Sequence, residues 1–118
     1  MNVGRLSSAA LLASGVAGAI APMEVAKALH IVPANERGVA EVRAGVGGTY
    51  AMLGLWAMLS RSPHAQRAVG ITWLGAALAR VASLKLDGPE TDRTYWTYLA
   101  AEVTLGTLAL FTATARKT

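Results

Sequence analysis

The sequence predicts an all-α membrane protein: a bundle of four transmembrane helices, running up-down-up-down, with both termini on the cytoplasmic side. Three observations carry this expectation. Charged residues make up 15% of the 118 residues and hydrophobic ones 53%, whereas soluble domains average about 25% charged. The apolar residues fall into runs close to the ~20 that a helix needs to cross the hydrocarbon layer. The polar connections between the runs are short and differ in charge from one side to the other, as membrane orientation requires.

The length allows one domain. The net charge of +4 and the pI near 10.0 do not point to nucleic acid, because the basic residues are scattered among apolar runs and form no stripe. The absence of cysteine excludes disulfides, thiolate metal sites and cysteine-attached haem. No cofactor and no metal site is implied: His30 and His64 fall on opposite sides of the membrane in this topology, and no His/Asp/Glu spacing suggests ligation.

The first span covers residues 6–29. Its start resembles a signal peptide, with Ala19, Ile20 and Ala21 as a cleavage-like site, but it is read as a retained membrane helix. Ala10, Ser14 and Gly18 recur every fourth residue, a small-residue face for close helix approach. Pro22 is expected to kink this helix without ending it, and Asn35 to cap the next one. The second span, 39–59, carries Glu41 and Arg43 and then Gly45, Gly47, Gly48 and Gly54. That glycine density would cost a soluble helix about 1 kcal/mol per residue, but in a bilayer it reads as a packing face. Ser62 is the N-cap and Pro63 the first helical residue of the third span, 64–86. A turn containing Asp87, Gly88 and Pro89 leads to the fourth span, 94–115.

Arg5, Arg61, Arg67, Arg116 and Lys117 lie at one end of these spans with no acidic residue among them; Glu24, Glu36, Glu41, Asp87, Glu90, Asp92 and Glu102 lie toward the other. The first end is therefore expected in the cytoplasm. Tyr95, Trp96 and Tyr98 then sit at the outer interface, with Lys85 and Asp87 at its boundary. Met52, Met58, Trp56 and Trp73 read as packing or lipid-facing residues.

Four ionisable residues, Glu41, Arg43, Arg80 and Glu102, fall inside or at the edge of the apolar layer. Arg80 lies ~10 Å and Glu102 ~12 Å from the outer loop at 1.5 Å per residue, so the two can pair at matching depth. Glu41 and Arg43 are two apart, hence on nearly opposite faces of a regular helix, and which stripe faces the bundle is open. Charges at such depth cost about 3 kcal/mol or more unless paired or hydrated. The cluster is compatible with a structural clamp, with a ligand cavity in the outer half, and with acid–base chemistry on Glu41 or Glu102. No nucleophile stands beside a base, and the glycines of the second span lack the strand and lysine of a phosphate loop.

The run from Glu41 and Arg43 through Gly47 and Gly48, then Arg80 with Ser83, Asp87, Gly88 and Pro89, then Glu102, resembles the pattern of the bacterial DUF4345 family over roughly residues 35–115. The resemblance implies a small four-helix membrane protein and supplies neither substrate nor reaction. The functional expectation is a non-catalytic accessory or scaffold subunit of the bacterial inner membrane. It would contact the lipid bilayer and a larger membrane complex or further copies of itself through small-residue helix faces. A binder of a small anionic or amphipathic ligand at Arg43 and Arg80 is the alternative, and a membrane enzyme the third.

Overall fold

Proline, glycine and short polar caps divide the chain into helices. The computed structural model describes residues 3–60 and 62–115, and among these there is no strand. The helices are α1 (Val3–Ile20), α2 (Pro22–Ala28), α3 (Glu36–Val42), a π-helical segment (Arg43–Gly48) running into α4 (Thr49–Leu59), α5 (Pro63–Leu86) and α6 (Arg93–Ala115). They pack as two units. One combines the residues up to Ser7 with those from Ser62 onward; the other is Ser8–Arg61.

The expected single helix over 6–29 is not observed. α1 ends at Ile20, and α2 departs at 116°. Pro22 has no N–H to offer the carbonyl of Gly18, its ring would strike that carbonyl, and it drives the preceding residue out of helical conformation. Ala21 accordingly sits at φ −135° and ψ 60°. α2 ends in a Schellman motif: Ile31 N–H donates to the Ala26 carbonyl at 2.8 Å and His30 N–H to that of Lys27 at 3.1 Å. His30 takes the left-handed position, φ 59°, that this motif requires. The next helix begins where expected, with Gly38 N–H donating to Asn35 Oδ1 at 3.1 Å.

Within the Ser8–Arg61 unit, α1 runs antiparallel to the π segment and α4. A Cβ on Gly18 would stand 2.9 Å from Gly47 N, one on Gly47 2.5 Å from Ala19 N, and one on Gly54 2.5 Å from Leu12 N. Gly15 lies equally close to the backbone of Ala51. Glycine is required at these positions because backbone meets backbone. The buried stripe of α1 is therefore Leu11, Gly15 and Gly18. Of the face expected from the sequence, Gly18 is buried, while Ala10 and Ser14 are half-buried. Gly47 packs, whereas a Cβ on Gly45 or Gly48 would meet nothing within 4 Å; those two do not contribute to this contact.

In the other unit, α5 and α6 form an antiparallel hairpin. Ser62 and Pro63 start α5 as the sequence predicts, with His64 N–H donating to Ser62 Oγ at 3.1 Å. Asp87 and Gly88 (φ 56°) end it, and Asp92 Oδ1 caps α6 by accepting from Tyr95 N–H at 3.0 Å. The helices cross at Gly70 and Gly106, where a Cβ on either would lie 3.0 Å from the carbonyl oxygen of the other. The first turns of α1 join them: Ser7 Oγ donates to the Leu105 carbonyl at 2.5 Å, and Trp73 Nε1 donates to that of Ser7 at 3.2 Å.

Small side chains fill much of the interior, and many large apolar ones lie at the surface. The buried apolar side chains are mostly alanine (Ala26, Ala57, Ala65, Ala77, Ala109, Ala113), joined by Leu11, Val42 and Val69, and the buried polar ones are Ser7, Ser8, Gln66 and Glu102. Many large hydrophobics are exposed, among them Leu59, Leu78, Leu86 and Phe111, while others such as Leu74 and Leu110 are half-buried. Among the described residues α5 is long and apolar enough to cross a bilayer by itself, and α1 with α2 passes the same test only as a bent pair.

Candidate functional site

Each of the four ionisable residues singled out in the sequence has a partner within its own unit. On the hairpin, Arg80 Nε donates to Glu102 Oε1 at 2.7 Å. Their meeting follows from helix direction. Cα–Cβ bonds tilt toward the helix N-terminus, so Arg80 leans away from the connecting loop while Glu102, on the returning helix, leans toward it. The Glu102 carboxylate is buried, with 8% of its side chain exposed, and Arg80 keeps 24%.

Two further residues complete this cluster, and both were read from the sequence only as interfacial aromatics. The guanidinium carbon of Arg80 lies 5.4 Å from the centroid of the Tyr95 ring and 5.3 Å from that of Tyr98, within cation–π range. Tyr95 also donates its hydroxyl to the Arg80 carbonyl at 2.8 Å, so it holds both ends of that residue. Tyr95, Tyr98 and Glu102 fall at i, i+3 and i+7 on α6, one stripe of a helix. That spacing is the signal by which they could have been grouped. Trp96 packs edge-on against Tyr95 at 5.6 Å.

In the other unit, Arg43 Nη1 donates to the carbonyl of Ala19. The break at Ala21 leaves the last carbonyls of α1 without the N–H groups of a following turn, and Arg43 satisfies one of them while placing a cation at a helix C-terminus, where the dipole favours it. Glu41 pairs with Arg37 one turn earlier on α3, Nε to Oε2 at 2.6 Å, with both side chains largely exposed. The π segment contains Gly45, Gly47 and Gly48 and is accompanied by a bond from Thr49 Oγ1 to the Ala44 carbonyl, 3.2 Å.

Arg43, Gly47, Arg80 and Glu102 thus hold helices together within their units, while Glu41 pairs on the surface of its own helix. A family described as a domain of unknown function, DUF4345, matches residues 3–113. The chain belongs to the DUF4345 family. The match takes in α1, beyond the stretch in which the resemblance was visible, so the Gly15 and Gly18 contact lies inside the family's extent as well as the Arg80–Glu102 pair. No curated protein and no solved structure matches the chain significantly.

Proposed function

We propose that this DUF4345 protein is a non-catalytic accessory or scaffold subunit of a bacterial inner membrane. In this reading it crosses the bilayer four times, up-down-up-down, with both termini cytoplasmic, and associates with a larger complex or with copies of itself. The placement of small side chains inside and many large apolar ones at the surface carries the reading. Helices that bury Gly, Ala and Ser and turn many of their Leu, Ile, Phe and Met side chains outward suit a lipid solvent, where close backbone packing replaces hydrophobic burial as the force between helices. Only 17% of the apolar stretch of α5 is buried, whereas the core helix of a soluble domain would be mostly covered.

The use of the charges supports the non-catalytic part. Glu102 is engaged by Arg80 and Glu41 by Arg37, so both carboxylates already serve as ion-pair partners. The bend at Ala21 is compatible with a membrane span whose end turns along the outer interface; α2 carries Glu24 and Lys27 exposed, with Met23 beside them.

Orientation rests on a small contrast. At or near the ends of the spans, Arg5, Arg61, Arg67, Arg116 and Lys117 mark one side, and Lys27, Arg37, Lys85 and Arg93 the other; the acidic residues that sharpen the difference weigh little in the rule. The chain lacks cysteine, which makes mapping direct. With Ser62→Cys and Glu90→Cys, a membrane-impermeant maleimide should label the second in intact cells and the first only after lysis; the reverse pattern inverts the topology. Retention in membranes after an alkaline carbonate wash tests embedding. Light scattering in mild detergent tests self-association, which a strictly monomeric particle would remove; copurification of a fixed partner from native membranes tests the role in a larger complex, which its absence would remove.

A further inference from the structure

The guanidinium of Arg80 is committed at one edge only. Its Nε–H goes to Glu102 and two tyrosine rings lie against it, but its two terminal amino groups take no hydrogen-bond partner among the described residues. These nitrogens are not sealed off. Among the described residues the buried side-chain atoms without a partner are Ser8 Oγ and Gln66 Nε2, and Arg80 keeps 24% of its side-chain surface. A guanidinium has five N–H donors in a rigid fork. Glu102 takes one, and the pair of terminal amino groups remains as a fork open at the protein surface.

We propose that this fork binds the oxyanion head, a carboxylate or a phosphate, of an amphipathic molecule, with Tyr95, Tyr98 and Glu102 as positioning residues. The proposal rests on the membrane reading above and deepens it. Three features point to this class of ligand. The terminal amino groups of an arginine match the two oxygens of a carboxylate or phosphate bidentately. Arg80 stands six residues before the end of α5, or ~9 Å at 1.5 Å per residue. An acyl-chain molecule can bring its head to that depth with its tail still in hydrocarbon. Ala76 and Trp73, one and two turns deeper on the same stripe of α5, are half-buried and give such a tail an apolar surface. Because Glu102 already balances the charge of Arg80, the head is held by directed donors more than by net attraction. A singly charged head is therefore preferred over a doubly charged one.

The test uses the full chain in nanodiscs of phosphatidylcholine, with binding followed by native mass spectrometry. The probes are oleate, dioleoyl phosphatidylglycerol, uncharged monoolein and inorganic phosphate. Oleate or phosphatidylglycerol should bind at least about tenfold more tightly than monoolein, and Arg80→Lys, which keeps a charge for Glu102 but lacks the fork, should lose that preference by about tenfold. Binding of inorganic phosphate alone, lost in the same variant, would keep the oxyanion site and assign it to a soluble anion. Should Arg80→Lys fail to fold, the double variant Arg80→Leu with Glu102→Leu leaves no buried charge unpaired and takes its place. Equal affinity for oleate and monoolein, or undiminished binding in the variant, overturns the site. If the wild-type chain washes out of membranes in alkaline carbonate, the membrane reading fails instead, and the two failures are told apart.

Discussion

The α5–α6 hairpin and the segment from α1 to α4 both carry polar groups in an apolar sequence, and they accommodate them differently. In the hairpin the demand comes from side chains. Arg80 and Glu102 meet on facing helices, and two tyrosines from the same stripe of α6 enclose the arginine. In the other unit the demand comes from the backbone. Pro22 breaks α1, the freed carbonyl of Ala19 is taken by Arg43, and glycines let α1 lie against the π segment and α4. The difference teaches that an arginine within an apolar run can be a charge partner in one place and a helix cap in another, and that depth alone does not distinguish them.

The sharpest way to break this contrast is to remove one member of the buried pair. Glu102→Ala strands Arg80, and losing one partner of a buried pair costs about 3–5 kcal/mol. The double change Arg80→Leu with Glu102→Leu should recover most of that loss, since apolar replacement of a whole buried pair is often neutral or better. Unfolding in mixed SDS micelles, followed by helical circular dichroism, measures both. A loss below about 1 kcal/mol for the single change would place the pair among exposed ones and remove its clamp role.

The glycines of the other unit come next. A Cβ on Gly47 meets Ala19 N at 2.5 Å and Gly18 C at 2.7 Å, backbone that cannot swing away, so Gly47→Ala should cost about 1–3 kcal/mol as overpacking does. Gly45, two residues earlier, faces open space. Gly45→Ala should raise stability by about 0.4–1 kcal/mol through the unfolded chain. The same unfolding assay reads both, and equal signs would show that the π segment does not hold α1 as described.

Arg43→Met tests the backbone repair itself. It removes the donor to the Ala19 carbonyl and the cation at the end of α1, at a cost of about 1 kcal/mol, the scale of one hydrogen bond. Amide exchange in α2 should quicken with it, because the break that Arg43 secures lies immediately before that helix. Unchanged exchange would leave Arg43 as a surface residue.

The hairpin was legible because its cues are local or follow from regular helix geometry. Ser62 with Pro63 marks a start, Asp87 with Gly88 an end, and a 1.5 Å rise places Arg80 opposite Glu102. The grouping of Tyr95 and Tyr98 with Arg80 was available in the same periodicity. The other unit resisted for two physical reasons. Proline in a helix predicts a bend but not its size, and the 116° turn at Ala21 is supported by Arg43, 24 residues from the Ala19 carbonyl that it bonds. Glycines at 45, 47 and 48 cover every side of a helix, and the π segment abandons the 3.6-residue period by which a face is assigned. Hence Gly47 and Gly54 pack while Gly45 and Gly48 do not, and Gly15 was passed over in favour of Ala10 and Ser14.

The smallest effect is expected where the sequence pattern placed a member of the polar cluster. Glu41 forms an i,i+4 pair with Arg37 in which the side chains are 63% and 82% exposed respectively. Exposed pairs on one helix contribute about 0.3–0.5 kcal/mol, and salt screens them. Glu41→Gln should therefore shift the unfolding midpoint barely, with the shift shrinking further as salt is raised. A loss above about 2 kcal/mol, insensitive to salt, would mean that Glu41 has a desolvated partner, and the side-chain chemistry now assigned to the hairpin would then extend into the α1–α4 unit as well.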